Sequence, residues 1–173
     1  HGQRLDGAIE LEEPLERCRV TFPVDITPGS WRLHEAFRGK LTHKLRGFYR
    51  STYPDPSGKI KTLAATQFEA TDARRGFPCW DEPDFKATFS VTLVVDPSMA
   101  AVSNGRVESE TLEEGKKVVR FADTIVMSTY LVAFVVGHIE PTPPTFVGKT
   151  PIRIWCVPGK QELASFGQDV ATV

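Results

Sequence analysis

A strand, a tight turn and a second strand can be traced in residues 41–68, which read LTHKLRGFYRSTYPDPSGKIKTLAATQF. Residues 41–53 and residues 59–68 are both strand-like, and the sequence PDPSG at residues 54–58 separates them. The prolines of this cluster fix φ and its glycine tolerates a positive φ, which is typical of a turn. The stretch therefore predicts a β-hairpin of antiparallel strands.

Apolar and polar side chains alternate, with a period of two residues, through most of the chain. In residues 85–96, FKATFSVTLVVD, apolar side chains alternate with polar ones. Residues 130–136, YLVAFVV, are apolar on both faces, which predicts a central strand covered on both sides. Residues 161–173 have helical spacing but end before an amphipathic helix of normal length is complete. We therefore predict an all-β fold, an antiparallel β-sandwich or saddle with the start of a helix at its C-terminus.

Composition and charge argue against several classes of partner. The 173 residues include 21 Lys and Arg against 22 Asp and Glu, so no basic excess favours nucleic acid. The longest apolar run, residues 130–136, is far shorter than the ~20 residues of a membrane-spanning helix. The first residues have no signal-peptide core. We therefore expect neither nucleic acid nor membrane as a partner, and a cytoplasmic location.

Metal-binding signatures are incomplete in this sequence. Residues 34–38, HEAFR, begin like the HExxH zinc motif, but Arg38 stands where the second histidine is required. Cys18, Cys79 and Cys156 are far apart and form no CxxC pair, and we expect them to be small buried apolar residues. The chain itself is therefore predicted to bind no metal.

A dense mixture of carboxylates, arginines and aromatic residues interrupts the β pattern at residues 66–83, TQFEATDARRGFPCWDEP. Asp72 and Arg75 are spaced to pair on a helical turn. Most of these charged residues, including Arg74 and Asp81, have a structural interpretation: they form ion pairs that hold this long crossover on the sandwich.

Gln67 and Glu69 have a second interpretation. They are two residues apart at the end of a predicted strand, so both side chains should point to one face, with Phe68 buried on the other. A carboxylate and a carboxamide that project together can hold a protonated amine, since both accept N–H hydrogen bonds and one supplies charge. The residues alone leave this functional interpretation and a structural one open.

At this segment the sequence resembles the zinc metallo-aminopeptidases of the aminopeptidase N and puromycin-sensitive aminopeptidase type. The motifs that carry the resemblance are LRGFYRS at residues 45–51, TQFEATDARR at 66–75, FPCWDEP at 77–83 and FKATF at 85–89. The likeness extends over residues 17–170. It implies an N-terminal β-saddle domain that packs on a thermolysin-like catalytic domain of the same parent protein.

The resemblance also implies roles for individual residues. Glu69 matches the glutamate that binds the free α-amine of the substrate, and Gln67 matches a residue that lines the pocket for the substrate's first side chain. Peptide N-termini are then the expected ligands. The parent protein is expected to be a zinc-dependent hydrolase that releases N-terminal amino acids from peptides.

The departures from the family pattern limit what this chain can do. HExxH and the GxMEN loop are both missing, so we expect no catalytic residue, no zinc ligand and no peptidase activity in the chain alone. We assign residues 1–157 to the β-saddle domain, without its first strands, and residues 158–173 to a linker and the first turns of the catalytic domain.

Two alternatives differ in function. One is a free-standing β-sandwich binding module without peptidase activity. The other is a branch of the family that hydrolyses epoxides, which is disfavoured because that branch resembles QxQ, with glutamine where Glu69 stands.

Overall fold

The computed structural model describes residues 4–173, and most of their regular structure is β-strand. The chain divides into two compact units, one that ends at Gly39 and one that runs from Lys40 to Val173. The predicted all-β fold, with antiparallel strands and a short C-terminal helix, is confirmed.

The first unit contains a single described pair of antiparallel strands. β1 (Ala8–Glu12) and β2 (Arg17–Thr21) are joined by a 3-10 turn, Glu13–Leu15, and Glu16 closes the turn in the left-handed region with φ of 52°. Residues 22–39 follow without a helix or a strand.

The second unit holds the remaining regular structure. Its elements are, in chain order, β3 (Gly47–Pro54), β4 (Ile60–Gln67), β5 (Lys86–Ala87), β6 (Thr92–Val95), β7 (Ala100–Ser103), β8 (Val107–Glu113), β9 (Lys116–Phe121), β10 (Met127–Ser128), β11 (Phe134–Gly137), β12 (Glu140–Pro141), β13 (Thr145–Val147), β14 (Thr150–Ile152), β15 (Trp155–Cys156) and α1 (Ala164–Thr172).

The predicted hairpin forms the start of the main sheet. β3 and β4 pair antiparallel from Gly47 opposite Gln67 to Pro54 opposite Ile60. The Asp55 carboxylate closes the turn by accepting hydrogen bonds from the Ser57 and Lys59 backbone N–H groups at 2.9 and 3.0 Å. The Ser57 hydroxyl also donates to this carboxylate, at 2.6 Å. This hydrogen bond is the largest cause, and the two backbone hydrogen bonds are smaller ones, that favour the ionised form and hold the pKa of Asp55 below its usual value.

The main sheet has the strand order β3-β4-β11-β7, and a second sheet has the order β6-β9-β8. β11 lies between β4 and β7, as the apolar run at residues 130–136 predicts, but the strand begins only at Phe134. Residues 129–131 form a 3-10 turn instead. Here the Asn104 side chain makes the hydrogen bonds that a neighbouring strand would otherwise make. Its amide group donates to the Leu131 carbonyl, and its side-chain oxygen accepts from the Ala133 N–H.

The alternating residues 85–96 do not form one continuous strand. β5 pairs with β10, whereas β6 pairs with β9, so the chain passes from one sheet to another between them. At this crossing the Thr124 hydroxyl accepts the Phe89 N–H at 3.0 Å. Burial alternates along the chain only from Phe89 to Val95, whereas residues 85–88 are all exposed.

A compact cluster of apolar residues lies beside the carboxyl end of β4. Phe68, Ala73, Met127 and Val132 are its buried members, and the partly buried residues packed against it are Phe77, Cys79, Phe89, Tyr130 and Phe134. This cluster joins the end of β4 to the segment at residues 73–79 and to the chain just before β11.

The C-terminal helix is short and follows a 3-10 turn, Gln161–Leu163. Ala164 is buried, and the Gln168 amide donates to the Thr142 hydroxyl at 3.1 Å, whereas Phe166 is exposed. Over residues 4–173 no helix combines the length and the apolar character that crossing a bilayer requires. The predicted division at residues 157 and 158 stays a prediction.

Candidate functional site

The two residues predicted to bind an amine lie on either side of a buried aromatic ring. Gln67 is the last residue of β4, Phe68 is only 2% exposed, and Gln67 and Glu69 are both exposed. Glu69 lies just beyond the strand, in a turn, and its peptide bond to Ala70 is cis. The predicted burial of Phe68 is confirmed, while the role of its two neighbours stays a prediction.

Phe68 is held by aromatic packing and by a close approach of the backbone. Its ring makes edge-to-face contacts with Phe77 and Phe134, at centroid distances of 5.8 and 6.2 Å. A Cβ built on Gly76 would lie 2.6 Å from the Phe68 ring. Only glycine at position 76 leaves room for this ring. The sequence does not predict this requirement, because the contact depends on the tertiary fold.

The turn after Glu69 leads directly into a 3-10 turn, Ala73–Arg75. The Asp72 N–H donates to the Phe68 carbonyl at 2.8 Å, and Ala73 is fully buried. The Arg75 guanidinium lies 2.6 Å from the Asp72 carboxylate, which confirms the predicted pair. Glu69 therefore lies in a short segment that is tied to the core at both sides.

A second ion pair, between Arg74 and Asp81, is largely removed from water. The Asp81 side chain is 5% exposed and accepts hydrogen bonds from the Arg74 Nε–H at 2.9 Å and from the Arg74 backbone N–H at 3.1 Å. Arg74 Nη2 also donates to the Asp81 carbonyl at 3.2 Å. This pair joins the two ends of the segment at residues 74–81, as the structural interpretation predicts.

Residues 80–83 are linked to the chain before β11 by the hydroxyl groups of one threonine and one serine. The Thr129 hydroxyl donates to the Trp80 carbonyl at 3.0 Å, and the Ser128 hydroxyl donates to the Pro83 carbonyl at 2.6 Å. Both hydroxyl-bearing residues are buried. The backbone of residues 80–83 is therefore fixed while the Trp80 ring remains exposed.

The described residues do not fit a zinc ion. Between residues 4 and 173, no three or more His, Cys, Asp and Glu side chains converge as a metal site would require. His34 and Glu35 lie in an irregular segment of the first unit and line an open cavity of about 710 Å³ together with Trp31.

The cysteines differ in exposure. Cys18 is exposed, contrary to the expectation of burial, and it lies in the two-stranded pair of β1 and β2. Cys79 is half-buried in the apolar cluster. Burial, followed by the charge of Asp81, raises the pKa of the Cys79 thiol to about 11, so the thiol is neutral at physiological pH.

Comparison with known proteins identifies the family. Residues 5–131 match the family described as Peptidase M1 N-terminal domain. The chain is 44% identical over 162 residues to puromycin-sensitive aminopeptidase of Caenorhabditis elegans, covering 92% of this chain and 17% of the relative.

Other relatives show the same pattern. The chain is 40% identical over 180 residues to alanine/arginine aminopeptidase of Saccharomyces cerevisiae, covering 99% of this chain and 21% of the relative. It is 43% identical over 162 residues to aminopeptidase M1 of Arabidopsis thaliana, covering 94% of this chain and 18% of the relative. The chain spans about a fifth of the length of these relatives, all of which are named aminopeptidases. The chain belongs to the peptidase M1 family and corresponds to its N-terminal domain.

Proposed function

We propose that this chain is the non-catalytic N-terminal domain of a zinc-dependent aminopeptidase and that Glu69 binds the α-ammonium group of the peptide substrate. The single observation that carries the proposal is the contrast among the carboxylates of one segment. Asp72 and Asp81 pair with arginines and are mostly buried, whereas Glu69 and Glu82 are exposed, and of these two only Glu69 adjoins the buried Phe68. A fixed backbone with an exposed carboxylate is what recognition of a charged ligand requires.

The strength with which such a carboxylate attracts an ammonium group depends on whether another domain covers it and excludes water. Opposite charges 4 Å apart attract by about 1 kcal/mol in water and by about 4 kcal/mol at an effective dielectric constant near 20. An exposed Glu69 would therefore bind an amine weakly by itself. The proposed partner is the catalytic domain of the same parent protein, which would exclude water from Glu69 and supply both the zinc and its ligands.

Gln67 is proposed to line the pocket for the first side chain of the substrate. Its amide both donates and accepts hydrogen bonds, and it precedes the same buried ring that Glu69 follows. The ligands proposed for the pair are peptide N-termini.

Exposed apolar side chains favour this assignment over a free-standing binding module. Large apolar residues near the segment at residues 80–85 and the start of β10 are exposed, namely Trp80, Phe85, Ile125 and Val126. Monomeric proteins seldom leave many large apolar side chains in water, so a covering partner is expected.

The cytoplasmic location remains a proposal, since a 44% identical yeast relative is named aminopeptidase 2, mitochondrial.

The proposal is tested in a chimera, in which this chain replaces the matching N-terminal region of the Caenorhabditis elegans relative. Glu69→Gln keeps the size of the side chain and removes its charge. Loss of a water-excluded charge pair costs about 2 kcal/mol or more, so kcat/KM for peptides with a free α-amine should fall about 30-fold or more.

The matched control is Glu82→Gln, which removes an exposed carboxylate from the same segment and should leave kcat/KM unchanged. If Glu69→Gln leaves the kinetics of an active chimera unchanged, Glu69 is not the amine anchor. If the wild-type chimera folds but cleaves no peptide, the proposal that this domain takes part in aminopeptidase activity fails.

A further inference from the structure

We infer that Asp81 is a positioning residue for Glu69, and that the Arg74–Asp81 pair acts through Gly76 and Phe68. The inference rests on the proposed function, since it concerns how the amine-binding carboxylate is held. Asp81 does not touch the proposed ligand.

The first step is the link from Asp81 to the 3-10 turn. Its carboxylate accepts the backbone N–H of Arg74 at 3.1 Å, inside the turn Ala73–Arg75, and the Nε–H of the same residue at 2.9 Å. One carboxylate oxygen thus fixes both the backbone and the side chain of Arg74. The charge of Asp81 is therefore coupled to the position of the whole turn.

The second step is the contact between this turn and the Phe68 ring. The Gly76 N–H donates to the Ala73 carbonyl at 2.8 Å, so Gly76 moves with the turn. A Cβ on Gly76 would lie 2.6 Å from the ring, and ordinary contacts begin at 3.4 Å. The backbone of the turn at Gly76 therefore packs closely against the ring, with no room for a side chain between them.

The third step is the covalent link from Phe68 to Glu69. Phe68 is 2% exposed, and its carbonyl accepts the Asp72 N–H at 2.8 Å across the turn that contains Glu69. A displacement of the ring is therefore passed to the adjacent backbone. Because a misplacement of about 1 Å can cost about 100-fold in rate, a small shift of this turn is enough to impair an amine anchor.

The test is a double-mutant cycle in the chimera described above. Asp81→Asn keeps the size of the side chain and removes its charge, and it should lower kcat/KM on the order of tenfold when Glu69 is present. In the Glu69→Gln background the same change should lower kcat/KM by less than about twofold, because no anchor is left to misplace.

A structural role alone gives a different result. If Asp81→Asn lowers kcat/KM by the same factor in both backgrounds, it acts on stability or on the active fraction, and the inference is overturned. The inhibition constant of a zinc-chelating inhibitor without an α-amine is the second readout. It should be unchanged in Asp81→Asn, and a shift equal to that for amine substrates contradicts positioning.

A second variant covers the case in which Asp81→Asn fails to fold. Gly76→Ala leaves the charges of Arg74 and Asp81 in place and forces the Phe68 ring to move by about 1 Å, so kcat/KM should fall by up to about 100-fold. The matched control is Gly39→Ala, whose Cβ would meet nothing within 4 Å. Unchanged kinetics in a folded Gly76→Ala chimera overturn the inference.

The two failures are distinguishable. If Glu69→Gln has no effect, the proposed function fails, and the positioning inference fails with it. If Glu69→Gln lowers kcat/KM and the Asp81 and Gly76 variants do so independently of Glu69, only the positioning inference fails.

Discussion

Replacing Phe68 by alanine should strongly destabilise the second unit. The ring is 2% exposed and packs against Phe77 and Phe134, so its removal both exposes apolar area and leaves a cavity. Substitutions of this kind cost about 3–5 kcal/mol. Since the nearby turn is tied by the Arg74–Asp81 pair and cannot collapse freely into the cavity, we expect a loss of about 4 kcal/mol.

The assay is urea unfolding of the chain, followed by far-UV circular dichroism and extrapolated linearly to water. The matched control is Phe85→Ala, because Phe85 is 60% exposed and its truncation should change the free energy of unfolding by less than about 0.5 kcal/mol. A loss below about 1 kcal/mol for Phe68→Ala, or equal losses in the two variants, would refute the central position of this ring.

Two further predictions concern close packing and pH. Gly137→Ala should lower the free energy of unfolding by about 1–3 kcal/mol in urea titrations, since a Cβ there would lie 2.7 Å from the Leu63 Cβ. The contribution of Cys79 to the stability of the wild-type chain should be constant below pH 9 and fall as the pH rises toward 11, because the folded state keeps the proton of Cys79 above the ordinary thiol pKa of 9.0. Solvent screening at the half-buried thiol limits this contribution to about 1 kcal/mol, and Cys79→Ala should make the loss of stability between pH 9 and 11 smaller by that amount.

A wild-type curve that stays flat to pH 11, or an identical fall in Cys79→Ala, would contradict the assignment of this titration. For Gly137→Ala, unchanged stability would mean that β11 does not approach β4 as closely as the structure shows.

Local chemistry explains which parts of the fold could be predicted from the sequence. The turn at residues 54–58 is determined by its own prolines, glycine and Asp55, so it forms where the pattern predicts. The break within residues 85–96 follows from a change of partner strand, which no local pattern records. The 3-10 turn at residues 129–131 likewise depends on a hydrogen bond from the distant Asn104.

The candidate site divides in the same way. The alternation of residues 67–69 was enough to predict a buried Phe68 with Gln67 and Glu69 on the other face, and the burial of Phe68 is confirmed. The pair Asp72–Arg75 followed from its spacing. The contact between Gly76 and the Phe68 ring could not be predicted, since a glycine that makes room for a distant ring has no characteristic sequence neighbourhood.

The order of strands in the main sheet has a consequence for synthesis on the ribosome. β3 and β4 are neighbours in sequence and can pair as soon as they emerge, but Ala65 of β4 also pairs with Val135 of β11, which is translated much later. Until then the second edge of β4 lies open, and Phe68 lacks its contact with Phe134. The segment that bears Glu69 therefore completes its packing only after residue 134 has been translated, and pausing of translation before that residue would leave the edge available to chaperones or to other chains.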